Sequence, residues 1–338
     1  MRTSTAYSFF NGVHTMQQQQ AKLAATQEQV ASGKKINRPS DDPSGAYQVS
    51  VLNQGIKQLD QFKDNANSAL FQLQQVETEI SSNIDILQRT RQLAVAMSTD
   101  TMSPDNRRQA AAEVDQLLNG LLNHMNATNL DGQFLFAGDN TDDRPFVEDP
   151  TNPGFVTYLT DPARPDNDPR AAFGHRSVQI NFDDNLPVQP EPSQNPSRVR
   201  IAEVGSEVFG AGLASTSFAS TDAEGVDHNI YNVVKIMRDR LEAGERPGDD
   251  ILDDLKNAID QQAATLTSVG TRVNRIDAQL EVNEIYKIAM TERRSGFEDL
   301  DLAEGITKLN LTQTALQVSQ QTFARVQQLS LFNFINTR

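Results

Sequence analysis

The chain has 338 residues, 37% of them apolar, with no Trp, no Cys and a formal net charge of −15. The lack of Cys excludes a disulfide scaffold, a thiolate metal site and a cysteine nucleophile. The acidic balance argues against nucleic acid, whose binding rests on Lys and Arg neutralising phosphates. So low an apolar share in so long a chain predicts an elongated or assembly-dependent structure rather than one thick globule.

The first predicted element begins at Phe9. Phe9, Val13, Met16, Gln20, Leu23, Gln27 and Val30 alternate in steps of four and three, the spacing of a coiled-coil seam. Gly33 reads as its left-handed cap, with Lys34 and Lys35 where the negative end of a helix favours cations. The stretch SGKKINRPSDDPSGA then reads as a joint between two helices. Ser40, Asp41 and Asp42 supply capping oxygens, Pro43 sits at a first helical position, and Arg38 lies between. For Lys34, Lys35 and Arg38, a solvated joint and contact with an acidic partner weigh about equally.

A second helical pattern runs from Pro43 to about Thr99 through Val49, Leu52, Ile56, Leu59, Phe62, Ala66, Ala69, Leu73, Val76, Ile80, Ile84 and Leu87. Pro104 restarts a helix bearing Val114, Leu117, Leu118, Leu121 and Met125. The region from 139 to 226 differs in kind. It carries fifteen acidic residues against six arginines, and ten of the fourteen prolines fall between Pro145 and Pro196. Prolines at that density exclude long helices. Short runs at 155–159, 177–182 and 199–201 predict strands of a small β-rich insert.

Another long helix follows through Leu252, Leu255, Ile259, Ala263, Leu266, Val269, Val273, Ile276 and Leu280. These three long helices predict an antiparallel bundle. After a Ser295-Gly296 breaker comes a last seam of Leu302, Ile306, Leu309, Gln313, Leu316, Gln320 and Phe323. It matches the first seam in length and in where it weakens, so the two ends are expected to pack together. The chain start has no apolar h-region, which predicts no cleaved secretory signal, and no stretch reaches the length of a transmembrane helix.

Chemistry is poorly signalled. His14, His124, His175 and His228 are scattered, with no metal-ligand spacing. The pairs Asp41-Asp42, Asp142-Asp143, Asp183-Asp184 and Asp253-Asp254 fit turns and helix starts. Asp139, Thr141 and Asp143 imitate part of a calcium loop that lacks its glycine and closing glutamate. No enzyme activity and no cofactor or metal are expected.

The joint SGKKINRPSDDPSGA and the closing stretch SGFEDLDLAEGITKLNLTQTALQVSQQTFARVQQLSLFNFI resemble the flagellin superfamily, over roughly the first 145 and last 70 residues. Three features resemble the hook–filament junction family more than filament-forming flagellins: the opening MRTST, the segment 132–138 (GQFLFAG) followed by Thr141 and Pro145-Phe146, and the ending LSLFNFI. The resemblance implies an extracellular structural subunit of the flagellum, exported by the flagellar type III system. It would self-assemble into a ring, with a neighbouring hook-associated protein on the hook side and flagellin on the filament side. An export chaperone is also implied, and no membrane insertion.

The fold expected is mainly α: an elongated antiparallel helical rod with paired terminal coiled-coil helices and an inserted small β-rich domain. Residues 1–40 and 296–338 would be the terminal assembly core, 41–138 and 227–295 the rod, and 139–226 the insert. Assembly contacts are expected at Phe9, Val13, Met16, Leu23, Val30, Leu302, Ile306, Leu309, Leu316 and Phe323. The inter-domain joint would comprise Gly33, Lys34, Lys35, Arg38, Asp41, Asp42, Pro43 and Gly296. Two other functions remain open: a short flagellin building the filament itself, and a surface adhesin or glycan-binding protein using the aromatics Phe155, Tyr158, Phe173, Phe182, Phe209 and Phe218.

Overall fold

The computed structural model describes residues 2–159, 175–182, 197–210 and 226–335. The chain is mainly helical, with paired terminal helices and a small β-rich insert. In order it forms α1 (Arg2–Ser32), α2 (Pro43–Met97), α3 (Pro104–Met125), β1 (Phe146–Glu148), β2 (Val156–Tyr158), β3 (Ser177–Gln179), β4 (Arg198–Arg200), α4 (Gly205–Phe209), α5 (Ile230–Glu242), α6 (Asp249–Glu298) and α7 (Leu302–Ile335). Two compact units result: residues 1–59 with 284–338, and residues 60–283. No helix among the described residues is long and apolar enough to cross a membrane. The Pro187–Pro196 run, Phe173 and Phe218 lie outside the described residues.

The helices of the second unit follow the apolar periodicity with two one-residue corrections. On α2, Leu73, Val76, Ile80 and Leu87 are fully buried, but the position between the last two is Asn83 rather than Ile84. On α6 the buried stripe is Ile251, Leu255, Ala258 and Gln262, in place of Leu252, Ile259 and Ala263. The α5 helix, which no apolar run announced, starts on Asn229, whose side chain accepts from the Asn232 N–H. Its helical tip is closed by arginines. The Arg107 guanidinium donates to the carbonyls of Met97 (3.1 Å), Thr99 (3.2 Å) and Gly244 (3.3 Å), and Arg240 grips Asp250 and the Pro247 carbonyl.

Four strands of three residues each could not hold themselves, since an isolated two-stranded hairpin is marginal in water. Both hairpins are antiparallel, β1 with β2 and β3 with β4. Asparagines on the helices take up their free backbone groups. Asn232 accepts from the Val156 N–H at 2.9 Å and donates to the Val156 carbonyl at 2.8 Å. Asn126 makes the same two-point grip on Phe146. Asn65 of α2 and Asn283 of α6 donate to the adjacent carbonyls of Gln179 and Ile180. Arg272 and Arg275 hold the carbonyls of Arg200 and Arg198. Asn232 is fully buried, so Asn232→Ala strands the Val156 N–H, while the Val156 carbonyl keeps its bond from Asn229. The change is expected to lower stability by about 2 kcal/mol, seen as a lower urea midpoint.

The second half of the GQFLFAG segment, Leu135 to Gly138, lies inside this core, with Gly132 exposed and Gln133 and Phe134 half-buried. Phe136 packs edge-to-face on Phe209 (ring centroids 4.8 Å), Phe209 on Phe146 (5.7 Å) and Phe146 on Tyr158 (5.2 Å). The Tyr158 hydroxyl donates to the Phe136 carbonyl, and burial pushes its pKa up, so it stays a neutral donor. Its own backbone ties the segment in: the Leu135 N–H donates to the Ala127 carbonyl, and the Phe136 carbonyl accepts from the Gly205 N–H.

Candidate assembly interface

The first unit is built on α1 lying along α7. The register is fixed at both ends by glycines. A Cβ added at Gly12 would come 2.6 Å from Cδ2 of Phe323, and one at Gly305 would come 3.2 Å from Cγ2 of Val30. Phe9 closes over Phe323, with ring centroids 5.4 Å apart. Both contacts belong to one antiparallel register, which sets Met16 level with Ser319, Leu23 with Thr312, Thr26 with Leu309, and Gln19 with Leu316. Each large apolar residue thus stands opposite a small or polar one.

This register corrects the seams at alternate positions. Met16, Leu23, Val30, Leu309, Leu316 and Phe323 face inward, half-buried, and Val13 is half-buried beside Gly12. Gln19, Thr26, Gly305, Thr312 and Ser319 are turned in instead of Gln20, Gln27, Ile306, Gln313 and Gln320. Leu302 and Ile306 are about half exposed, at 53% and 50%, and Phe9 is 45% exposed. The physical reason is size. Close approach of two helices wants small residues between the large ones, and Gly305 provides it better than Ile306.

The joint is ordered. Gly33 takes φ +70° and ends α1. Its carbonyl accepts from the Leu300 N–H, while the Lys35 N–H donates to the Glu298 carbonyl, so the two crossings of the chain pair as short antiparallel backbone. Lys34 adds an ion pair to Glu298, and Arg38 one to Glu28. Asp41 accepts from the N–H groups of Asn37 and Arg38, which holds the turn. Asp42 accepts from those of Ser44 and Gly45 and so caps α2, whose first residue is Pro43. Gly296 does not break the chain. It is helical, because one glycine costs a helix only about 1 kcal/mol, and the break falls at 299–301, where Asp301 caps α7.

What this unit leaves uncovered is unusual. Of the large apolar side chains exposed among the described residues, thirteen lie in it, including Tyr7, Phe10, Tyr47, Ile285, Tyr286, Leu311 and Val318; the larger second unit exposes four. Its seam is also only half closed, whereas the α2 stripe of the second unit is fully buried. In the free chain, amides of α1 and α7 are therefore expected to exchange with solvent far faster than those of 69–87 in α2. Equal protection would contradict this. The aromatics offered for glycan stacking are differently employed. Tyr158 and Phe209 are buried, Phe182 lies edge-on to Phe62, and Phe155 carries the Lys235 ammonium at 4.5 Å.

Residues 4–141 match the bacterial flagellin N-terminal helical region, and residues 250–335 the bacterial flagellin C-terminal helical region. Flagellar hook-associated protein 3 of Escherichia coli strain K12 is 24% identical over 98% of this chain and 99% of its own length. The flagellin of Listeria monocytogenes is 36% identical, but over 32% of this chain and 37% of its own. Among solved structures, a putative flagellar hook-associated protein from Vibrio parahaemolyticus superposes with a TM-score of 0.58 at 16% identity, covering 77% of this chain and all of that one.

Proposed function

We infer that this chain, which belongs to the flagellin family, is a structural subunit of the bacterial flagellum that joins the hook side to the filament. The full-length match to a hook-associated protein favours this over a filament-forming flagellin, which matches about a third of the chain. The structural observation that carries the reading is the half-closed α1–α7 seam with its uncovered apolar side chains, a surface that needs neighbours.

In this reading residues 1–40 and 296–338 form the assembly core, 41–138 and 227–295 the rod, and 139–226 the insert. Phe9, Leu302 and Ile306 contact adjacent subunits, and the Gly33–Pro43 joint transmits the fit to the rod. The subunits close into a ring, with a hook-associated protein on the hook side and flagellin on the filament side. Export runs through the flagellar type III channel with a chaperone, to an extracellular site. The test is seeded assembly on isolated hook ends, viewed by electron microscopy. A short cap that stops and then lets flagellin grow is expected. Long filaments from this protein alone would make it a flagellin.

A further inference from the structure

The core of the second unit contains two buried carboxamides whose side chains make no hydrogen bond. Asn83, between Ile80 and Leu87 on α2, is fully buried, and Gln262, beyond Ala258 on α6, is 1% exposed. Neither the nitrogen nor the oxygen of either side chain has a hydrogen-bond partner. Elsewhere in the unit buried amides are bound to backbone, as at Asn232 and Asn283. A buried amide left unpaired is among the more destabilising features a core can hold.

The two lie at one level. Phe62 of α2 stacks on Phe182, and Asn283 of α6 bonds the nearby Ile180 carbonyl. Asn83 follows Phe62 by 21 residues, and Gln262 precedes Asn283 by 21, along helices that run antiparallel, since Gly55 of α2 faces Met290 of α6 and Asn53 bonds Arg294. Equal steps of the same helical rise return the chains to the same height. Each carboxamide has donors and an acceptor, so two turned towards one another can exchange an N–H···O bond in each direction.

We propose that Asn83 and Gln262 pair through their carboxamides across α2 and α6, forming one polar layer that fixes where these two helices meet. The apolar stripe alone does not fix it, because a shift of seven residues keeps its pattern. That shift sets Asn83 against Leu255 or Val269, where its amide has no partner. The layer therefore selects one register, and it does so at the expense of the stability an apolar pair would supply.

Urea unfolding of the full chain tests this with Asn83→Leu, Gln262→Leu and the two combined. Each single change orphans the other amide and is expected to lower the folding equilibrium constant about tenfold, while the combination returns it to the starting value or above. Single changes that each raise stability, with effects that multiply in the combination, would overturn the pairing. If a single variant does not fold, the unsubstituted chain answers. Carboxamide-labelled protein should show slowed side-chain N–H exchange and a cross-peak between the two groups. Fast exchange with no cross-peak would also overturn it.

Discussion

Replacing Leu309 by aspartate is expected to abolish incorporation at the hook end while leaving the second unit folded, and Met16→Asp should do the same. Leu309 faces inward on α7, level with Thr26, whose hydroxyl is already committed to the Lys22 carbonyl. A carboxylate there meets an apolar seam with no cation facing it, and burying an unpaired charge costs several kcal/mol. The α1–α7 pair has little reserve against that, because its other large apolar seam residues are only half-buried. Leu311→Asp separates two effects. Leu311 is 69% exposed, so this change keeps the intrachain pair and alters only the surface proposed to meet neighbouring subunits. Both variants should lose swarming and filament growth, but only Leu309→Asp should lose helical content at the chain ends by circular dichroism. Normal motility with Leu309→Asp would remove the basis for calling the seam an assembly core.

The terminal pairing was legible because large apolar residues stand seven apart on both ends, in seams that match in length and in where they weaken. The alternate positions were not. Periodicity locates a stripe to within one residue, and choosing between Ile306 and Gly305 requires knowing how closely the partner approaches. The same limit hid Asn83 and Gln262. A reader of apolar pattern takes Ile84 and Ala263, since nothing local marks a polar residue that faces inward. The asparagine grips on Phe146, Val156, Gln179 and Ile180 were hidden for another reason: each joins residues 20 to 114 positions apart. Resemblance singled out the GQFLFAG segment as a family feature, and only packing explains why its aromatics are needed.

Adding a single methyl group at two glycines of the second unit is expected to shift stability in opposite directions. Gly205 opens α4 where the aromatic cluster closes. A Cβ there would lie 2.7 Å from Cε2 of Phe146, 2.8 Å from Cε2 of Tyr158 and 3.0 Å from the Phe136 carbonyl oxygen. Neither ring has room to retreat. Phe146 is pinned between Tyr158 and Phe209, and Tyr158 is tied by its hydroxyl to the same Phe136 carbonyl. Gly205→Ala should therefore overpack the core and cost about 3 kcal/mol. Gly270 on α6 is the control, because a Cβ there meets nothing within 4 Å. Its φ is not left-handed, so alanine fits the helix and should add about 1 kcal/mol through propensity and a less flexible unfolded chain. Urea midpoints of the two variants measure the difference directly. If Gly205→Ala proved neutral, the FLFAG core would be loose enough to breathe. The segment could not then serve as the rigid platform from which the strands and α4 are positioned.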